Sequence, residues 1–144
     1  MKLSHATKTT KQTELAHAWH LIDAKDQTLG RISTKVAELL IGKKKPNFVT
    51  NLDCGDFVVV LNAETVKVTG KKFTDKVYYR HSQMPGGFKA ETFKELINRR
   101  PEAALEHAIR GMLPKNKLRA KMLKRLRVVV GNENPFQENF PKEK

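Results

Sequence analysis

The sequence predicts an α/β fold of three layers, α/β/α, in which helices cover both faces of a small, mainly parallel central sheet. Strand-like, helix-like and strand-like segments follow one another in residues 19–61, which is the order of a βαβ unit. The second strand, residues 56–61, is apolar on both faces, as expected of a central strand between two layers of helices. The 144 residues are enough to bury one core without disulfides or a metal.

The first predicted helix has clear boundaries. The strand before it is predicted at residues 19–23, Thr28 suits the N-cap position, and the helix covers residues 29–41. Gly42 then suits the glycine that ends a helix. Four apolar residues recur at helical spacing and predict one buried face: Ile32, Val36, Leu39 and Leu40.

The middle of the chain predicts shorter elements. A short strand is expected at residues 65–68, closed by a turn at residues 69–72. Residues 76–81 alternate weakly between apolar and polar side chains. Residues 82–89 contain Pro85, Gly86 and Gly87, so we expect an exposed loop there.

Two helices follow, separated by Pro101. The first has to stop before this proline, because Arg100 as the preceding residue is disfavoured in the helical conformation. Pro101 suits the first turn of the next helix.

That helix leads into residues 108–127, called here the basic segment, which holds eight Lys or Arg and no Asp or Glu. Pro114 interrupts it, so the sequence predicts two helices joined by a tight, basic corner. The second of them has an apolar face formed by Leu118, Met122, Leu123 and Leu126.

The ends of the chain differ in composition from its centre. A last strand is predicted at residues 128–130, ended by a glycine. We predict a flexible, basic N-terminal arm at residues 1–16, a single α/β domain at residues 17–131 and a C-terminal tail at residues 132–144.

The charge balance indicates an anionic partner. The chain has 28 Lys plus Arg against 15 Asp plus Glu, a formal net charge of +13. Such a balance is typical of proteins that bind nucleic acid or an anionic membrane surface. The longest apolar run, residues 57–61, is far shorter than the roughly 20 residues that span a bilayer, so no membrane segment is expected. A single cysteine forms no internal disulfide, which fits a reducing cytoplasm.

The basic segment is the strongest candidate for an RNA-binding surface, because its cations have no acidic neighbours in sequence and a polyphosphate backbone would neutralise them. A solvated helix face is the structural alternative. Lys43, Lys44 and Lys45 follow a helix end, where capping alone would need only one of them. Gly86 and Gly87 let the backbone approach something closely, and a phosphate is one such ligand.

Other patterns do not predict catalysis or a cofactor. Gly42-Lys43 and Gly70-Lys71 lack the remaining residues of a nucleotide-binding P-loop. His17 and His20 lie on opposite faces of an extended chain, without a third ligand, so no metal site is expected. Cys54 has no recognisable nucleophile context. Four aromatic residues are candidates for stacking on RNA bases, with ordinary packing as the alternative: Tyr78, Tyr79, Phe88 and Phe136.

Seven short motifs, in order along residues 19–131, resemble a known family. They are Asp23 with Leu29-Gly30-Arg31, Gly55-Asp56 before Val-Val-Val-Leu-Asn-Ala, Val68-Thr69-Gly70-Lys71-Lys72, Lys76-Val77-Tyr78-Tyr79-Arg80-His81, Pro85-Gly86-Gly87, Arg99-Arg100-Pro101 and Gly111-Met112-Leu113-Pro114-Lys115. The family is large-subunit ribosomal protein number thirteen of the bacterial type. Each motif alone is weak, whereas the seven in this order are highly specific.

The resemblance implies a structural protein of the cytoplasmic large ribosomal subunit, without catalysis or cofactor. It implies binding to large-subunit ribosomal RNA, contact with neighbouring ribosomal proteins and a part in early assembly and translation. Messenger RNA stays open as a further partner, and no membrane is involved. The implied RNA-contacting residues are Lys43, Lys44, Lys45, Lys71, Lys72, Arg80, His81, Gly86, Gly87, Lys89, Arg99, Arg100, Lys115, Lys117, Arg119, Lys121, Lys124 and Arg125.

The chain departs from the family pattern in two places. After Leu118 the usual Gly-Arg is replaced by Arg119-Ala120, so Arg119 either takes the role of the displaced arginine or points elsewhere. Beyond Gly131 a His-rich tail is replaced by residues 132–136.

Two rival functions follow from the residues. An RNA-modifying or nucleotide-modifying enzyme would use the open end of the parallel sheet, where Asp23, Asp53 and Asp56 could hold a divalent ion. A free regulator would bind messenger RNA or DNA outside any particle.

Overall fold

The computed structural model describes residues 10–140. The predicted arm lies outside this range at residues 1–9, and the predicted tail does so at residues 141–144. The helices and strands, in chain order, are β1 Trp19–Asp23, α1 Leu29–Ile41, β2 Phe57–Leu61, α2 Lys72–Asp75, β3 Val77–His81, β4 Phe88–Thr92, α3 Phe93–Arg99, α4 Pro101–Met112, α5 Arg119–Lys124 and β5 Leu126–Val128. Short 3-10 turns lie at Gln12–Glu14, Ala63–Thr65 and Gln137–Asn139.

The central sheet has the order β1-β2-β5, and both of its strand pairs are parallel. Trp19 lies opposite Phe57, and Val58 lies opposite Leu126. The middle strand is buried on both faces, with residues 58–60 fully inaccessible to solvent. The predictions of an α/β fold, a mainly parallel sheet and a central strand at this position are confirmed.

The main core lies between the sheet and helices α1 and α4. Val58 and Val60 of β2 join Ile32 of α1 and Leu105 and Ile109 of α4 in one buried cluster. The other face of the sheet has a thinner cover. There Trp19 stacks on Phe57 at 4.5 Å, and residues that flank the turn Gln137–Asn139 pack on Trp19.

Helix α1 has the predicted bounds. Gly42 ends it in the left-handed conformation, with φ of 79°, and donates backbone hydrogen bonds to Glu38 and Leu39. A side chain there would collide with the Cys54 carbonyl, because an added Cβ would lie 2.5 Å from its oxygen. Thr28 occupies the N-cap position, but its side chain makes no capping hydrogen bond.

Three predicted elements differ in the structure. No strand forms at residues 65–68; Lys67 only makes an isolated bridge to Thr28, in which Leu29 N–H donates to the Lys67 carbonyl at 2.9 Å. The predicted loop at residues 82–89 is shorter, because β4 begins at Phe88 and pairs antiparallel with β3. The last strand begins at Leu126 rather than at residue 128.

The basic corner is present, with a shorter second helix than predicted. Helix α4 ends at Met112, and Leu113 is extended before Pro114. The Asn116 side chain then accepts hydrogen bonds from the backbone N–H groups of Leu118 and Arg119, which fixes the turn that starts α5. The corner is therefore a defined structure.

Candidate nucleic-acid interface

A groove between the β3–β4 hairpin and helices α3 and α4 gathers four of the predicted cations. Arg80 and Lys89 are cross-strand neighbours on the hairpin. They line a cavity of about 560 Å³ together with Arg99 and Arg100, which lie at the junction of α3 and α4. We call this cavity the hairpin groove. All four cations are exposed.

Within the hairpin groove, one cation has an internal partner. Arg99 donates two hydrogen bonds to the carboxylate of Glu91, at 2.8 and 2.7 Å. This contact lowers the pKa of Glu91 and raises the pKa of Arg99. Arg100 lies 3.9 Å from Glu106, and both side chains are more than half exposed, so that pair is weak. Arg80 and Lys89 have no carboxylate within ion-pair distance among residues 10–140.

The corner between α4 and α5 presents a second group, called here the corner lysines. Its members are all exposed: Lys115, Lys117, Lys121 and Lys124. In the part of the chain that the structure describes, none of them has a carboxylate within ion-pair distance. Arg119 is half-buried beside them, and its guanidinium donates to the backbone carbonyl of Arg110 in α4. Arg119 therefore ties the corner to α4.

A third group surrounds the N-terminus of α1. Lys72 lines a cavity of about 450 Å³ with Arg31 and Lys76. Lys71 and Lys72 border a second cavity of about 420 Å³ beside Gly70. The first of these cavities also includes Ala108 and Met112, so helix α4 contributes to its wall. We call this group the α1 cations. Arg31 and Lys76 were not among the predicted site residues, although both lie in motifs that resemble the family.

The three lysines after α1 have different surroundings. Lys43 and Lys44 are exposed, and Lys44 lies 3.5 Å from Glu38. Lys45 instead donates to the buried carboxylate of Asp56 at 2.5 Å and to the Ala16 carbonyl at 2.6 Å. His20 also contacts Asp56, at 3.0 Å. Lys45 therefore holds the N-terminal segment against the domain. Of the three lysines, Lys43 alone has no carboxylate within ion-pair distance among residues 10–140.

Arg125 is a further predicted cation with an internal partner. It is 8% exposed, and its guanidinium forms a two-pronged ion pair with the carboxylate of Asp53. Burial favours the protonated form of Asp53, but the hydrogen bonds and charge of Arg125 outweigh it and lower the pKa of this carboxyl. The chain passes so close that a Cβ on Gly55 would lie 2.8 Å from the guanidinium and 1.7 Å from the Leu40 carbonyl oxygen. The role of Lys45 and Arg125 in RNA binding stays a prediction, and these internal pairs count against it.

The two loop glycines shape the hairpin turn. Gly86 has φ of 72°, in the left-handed region. The Gly87 N–H donates to the Met84 carbonyl at 2.9 Å, and the Gly87 carbonyl accepts from Ser82 at 3.1 Å. His81 accepts a hydrogen bond from the Gln83 N–H at 2.8 Å, through Nδ1. Since the Gly87 amide is already used, the conformational role of this glycine is the one that the geometry supports.

The three groups of cations lie around one helix. Helix α4 contributes Ala103 and His107 to the hairpin groove, the Arg110 carbonyl to the corner, and Met112 to the cavity of the α1 cations. The site is thus a basic surface around a single helix, whose inner face packs on α1 and the sheet.

Comparison with known proteins identifies the family. Residues 17–135 match the family model described as "Ribosomal protein L13". The "Large ribosomal subunit protein uL13" of Symbiobacterium thermophilum is 55% identical over 123 residues, which cover 85% of this chain and 86% of the relative. The protein of the same name from Natranaerobius thermophilus is 50% identical, over 94% of each chain. That of Geobacter sulfurreducens is 47% identical, over 94% of this chain and 95% of the relative.

The chain belongs to the ribosomal protein L13 family. This confirms the family indicated by the seven motifs. As a member of the L13 family, it is a structural ribosomal protein of the cytoplasm and not an enzyme. None of the helices in residues 10–140 combines the length and apolarity needed to cross a bilayer.

The carboxylates that a rival enzyme would use have structural partners in this L13 protein. Asp53 pairs with Arg125 and Asp56 with Lys45. Asp23 accepts from the Asn62 side chain at 2.7 Å and from Lys25 N–H at 2.9 Å, and these hydrogen bonds lower its pKa. Among the described residues, no three His, Cys, Asp or Glu side chains cluster in a way that could hold a metal ion.

Proposed function

We propose that this protein binds large-subunit ribosomal RNA through the basic surface around α4, and that it thereby supports early assembly of the large subunit and translation. The hairpin groove, the corner lysines and the α1 cations each contact RNA phosphates in this proposal. The observation that carries it is the group of four exposed corner lysines without a carboxylate partner in residues 10–140.

The absence of acidic partners matters because it decides what these cations can bind. A cation paired with a carboxylate on its own chain has already lost much of its attraction for phosphate. The corner lysines are exposed and close in sequence, so they repel one another until a polyanion neutralises them. A nucleic acid supplies such a polyanion, with one phosphate for each nucleotide of each strand.

The fixed geometry of the corner supports recognition of a folded RNA. The Asn116 side chain, the Arg119 guanidinium and the buried pair of Arg125 with Asp53 each hold the corner in place. Side chains on a rigid body lose less conformational entropy on binding than those on a flexible arm. A rigid basic surface therefore suits RNA strands that approach each other at a fixed distance.

The relatives' names give the place of this function. They are large ribosomal subunit proteins, and we propose the same subunit, with its RNA and neighbouring proteins, as the location of this chain. Messenger RNA offers the same phosphate chemistry, and it enters the experiment as the competing ligand.

Sedimentation of a lysate tests the proposal. The variant with Lys→Glu at all four corner lysines is expected to leave the large-subunit fraction of a sucrose gradient, because charge reversal repels phosphate. A matched control carries the same charge change at exposed lysines outside the proposed surface, Lys11, Lys25, Lys35 and Lys94, and should still comigrate with the large subunit.

Two outcomes would count against the proposal. Comigration of the corner variant to the same extent as the control would exclude the corner as the binding face. A wild-type protein found only in the soluble fractions, or displaced from ribosomal RNA by equimolar messenger RNA, would favour a free regulator. Circular dichroism of both variants establishes that the fold is retained.

A further inference from the structure

The β3–β4 hairpin has two faces of different chemistry. Side chains alternate between the faces of a strand, so Tyr78, Arg80 and Lys89 share one face. Tyr78 is half-buried there and packs against Phe93 and His107, at ring distances of 6.4 and 5.5 Å. This is the face that turns towards α3 and α4.

The opposite face of the hairpin is aromatic and exposed. Tyr79 is 68% exposed and Phe88 is 61% exposed, and their rings stack with centroids 5.7 Å apart and planes 22° apart. With Met84 at the tip, they are the three most exposed large apolar side chains of residues 10–140. The strand residues of this face include no carboxylate.

The other aromatic side chains that were candidates for stacking on bases have partners inside the protein. Tyr78 packs as described, and Phe136 lies between Trp19, at 6.2 Å, and the Arg127 guanidinium, at 5.7 Å. Of the four candidates, Tyr79 and Phe88 therefore present exposed ring surface. Arg80 and Lys89 of the hairpin groove lie on the other face of the same two strands.

We propose that an unstacked base of the bound RNA stacks on Tyr79 and Phe88, while the flanking phosphates contact Arg80 and Lys89. This inference rests on the proposed RNA-binding function and assigns the hairpin a part in it. The hairpin then acts as a clamp with a ring face for the base and a cationic face for the backbone.

The surroundings favour a nucleotide over an apolar protein surface as the occupant. A third flat ring can stack on an exposed pair of offset-stacked rings, and every nucleobase has such a ring. Arg80 and Lys89 on the reverse of the same two strands supply the charge that a phosphate needs. His81 adds an imidazole on the aromatic face, with its ring oriented by the Gln83 N–H.

Stacking and charge contribute differently to RNA affinity, so the salt dependence of the binding constant distinguishes them. Loss of a stacked base weakens binding about 5- to 160-fold. It leaves the salt dependence of binding unchanged, because an uncharged ring neutralises no phosphate and releases no counterion. Loss of a phosphate contact changes the slope of log K against log salt by about 0.7 for a single strand or 0.9 for a duplex.

The experiment measures binding of the full-length protein to a large-subunit ribosomal RNA transcript over a salt series. Tyr79→Leu combined with Phe88→Leu removes both rings but keeps apolar side chains. It is expected to lower affinity by about 5- to 160-fold with an unchanged salt slope. Arg80→Gln combined with Lys89→Gln should reduce the slope by about 1.4 to 1.8. Met84→Ala is the control for loss of exposed apolar surface, and should bind as the wild type does.

Each outcome has a distinct meaning. If the Leu variant binds RNA normally while the Gln variant loses affinity, the stacking proposal is wrong and the proposed function stands. If neither variant loses affinity, the hairpin is not an RNA-binding surface. If the Leu variant binds RNA normally but fails to enter the large subunit, the rings dock on a protein, which also overturns the proposal.

Discussion

The buried ion pair between Arg125 and Asp53 allows a prediction that separates a structural role from an RNA-binding role. In the Asp53→Asn variant the Arg125 guanidinium would stay buried without a carboxylate. Arg125 is 8% exposed, and its Nε atom already has no hydrogen-bond partner among the described residues. The buried positive charge of Arg125 is thus balanced by the Asp53 carboxylate.

The magnitude follows from that burial. Leaving one member of a buried pair without its partner costs about 3–5 kcal/mol, a large part of the roughly 5–15 kcal/mol that stabilises a typical domain. At about 2–4 °C per kcal/mol for a chain near this size, the melting temperature should fall by about 6–20 °C. Replacing both residues with apolar ones, Asp53→Leu with Arg125→Met, should recover most of the stability that Asp53→Asn loses, because no charge then remains buried.

Urea denaturation followed by circular dichroism measures these differences for the wild type, Asp53→Asn, the single variants Asp53→Leu and Arg125→Met, and the double variant that combines the last two. A double-mutant cycle gives the coupling between the two sites. The reasoning is refuted if Asp53→Asn unfolds at the same urea concentration as the wild type. A structural role also predicts that the folded double variant binds ribosomal RNA like the wild type.

Two further predictions concern stability alone. Thr92 caps α3 through a reciprocal pair of hydrogen bonds with Glu95, so Thr92→Ala should cost about 1 kcal/mol in urea denaturation, whereas Thr28→Ala, whose side chain caps nothing, should cost far less. Equal losses in the two variants would contradict the role of the cap. Folding lowers the pKa of Asp53 and Asp56 below the ordinary 3.8, because their cationic partners outweigh the effect of burial. The stability that they contribute is therefore present above pH 3.8 and is lost as the pH falls through the lowered values. Thermal unfolding over a pH series should show this loss, and Asp56→Asn should reduce it; a flat profile between about pH 5 and pH 2 would contradict it.

Part of the fold could be predicted because some elements bury one clear face. Helix α1 has apolar residues at helical spacing and Gly42 at its end, so its bounds followed from the sequence. Strand β4 was missed because Pro85, Gly86 and Gly87 indicate a loop up to its first residue, and because its apolar residues Phe88 and Ala90 lie on an exposed face rather than in a core. Leu126 was assigned to a helix because it continues the helical spacing of the apolar residues before it. In the structure it is the first residue of β5, and there it faces the same core.

The sequence predicted which residues supply the positive charge of the candidate site, but not which of these cations form ion pairs within the protein. The corner lysines were visible as a run of cations without acidic neighbours in sequence. The partner of Arg125 lies 72 residues away, and Lys45 reaches Asp56 across 11 residues and a loop, so neither pair shows in the local sequence. The position of Arg31 beside Lys72 likewise depends on how α1 meets α2.

The salt dependence of binding to large-subunit ribosomal RNA tests the central claim most directly. In the variant with Lys→Gln at all four corner lysines, the slope of log K against log salt should become less steep by about 2.8 to 3.6, the loss of four phosphate contacts. The control with Lys→Gln at Lys11, Lys25, Lys35 and Lys94 should keep the wild-type slope. An unchanged slope in the corner variant would contradict the account, because its lysines would then neutralise no phosphate.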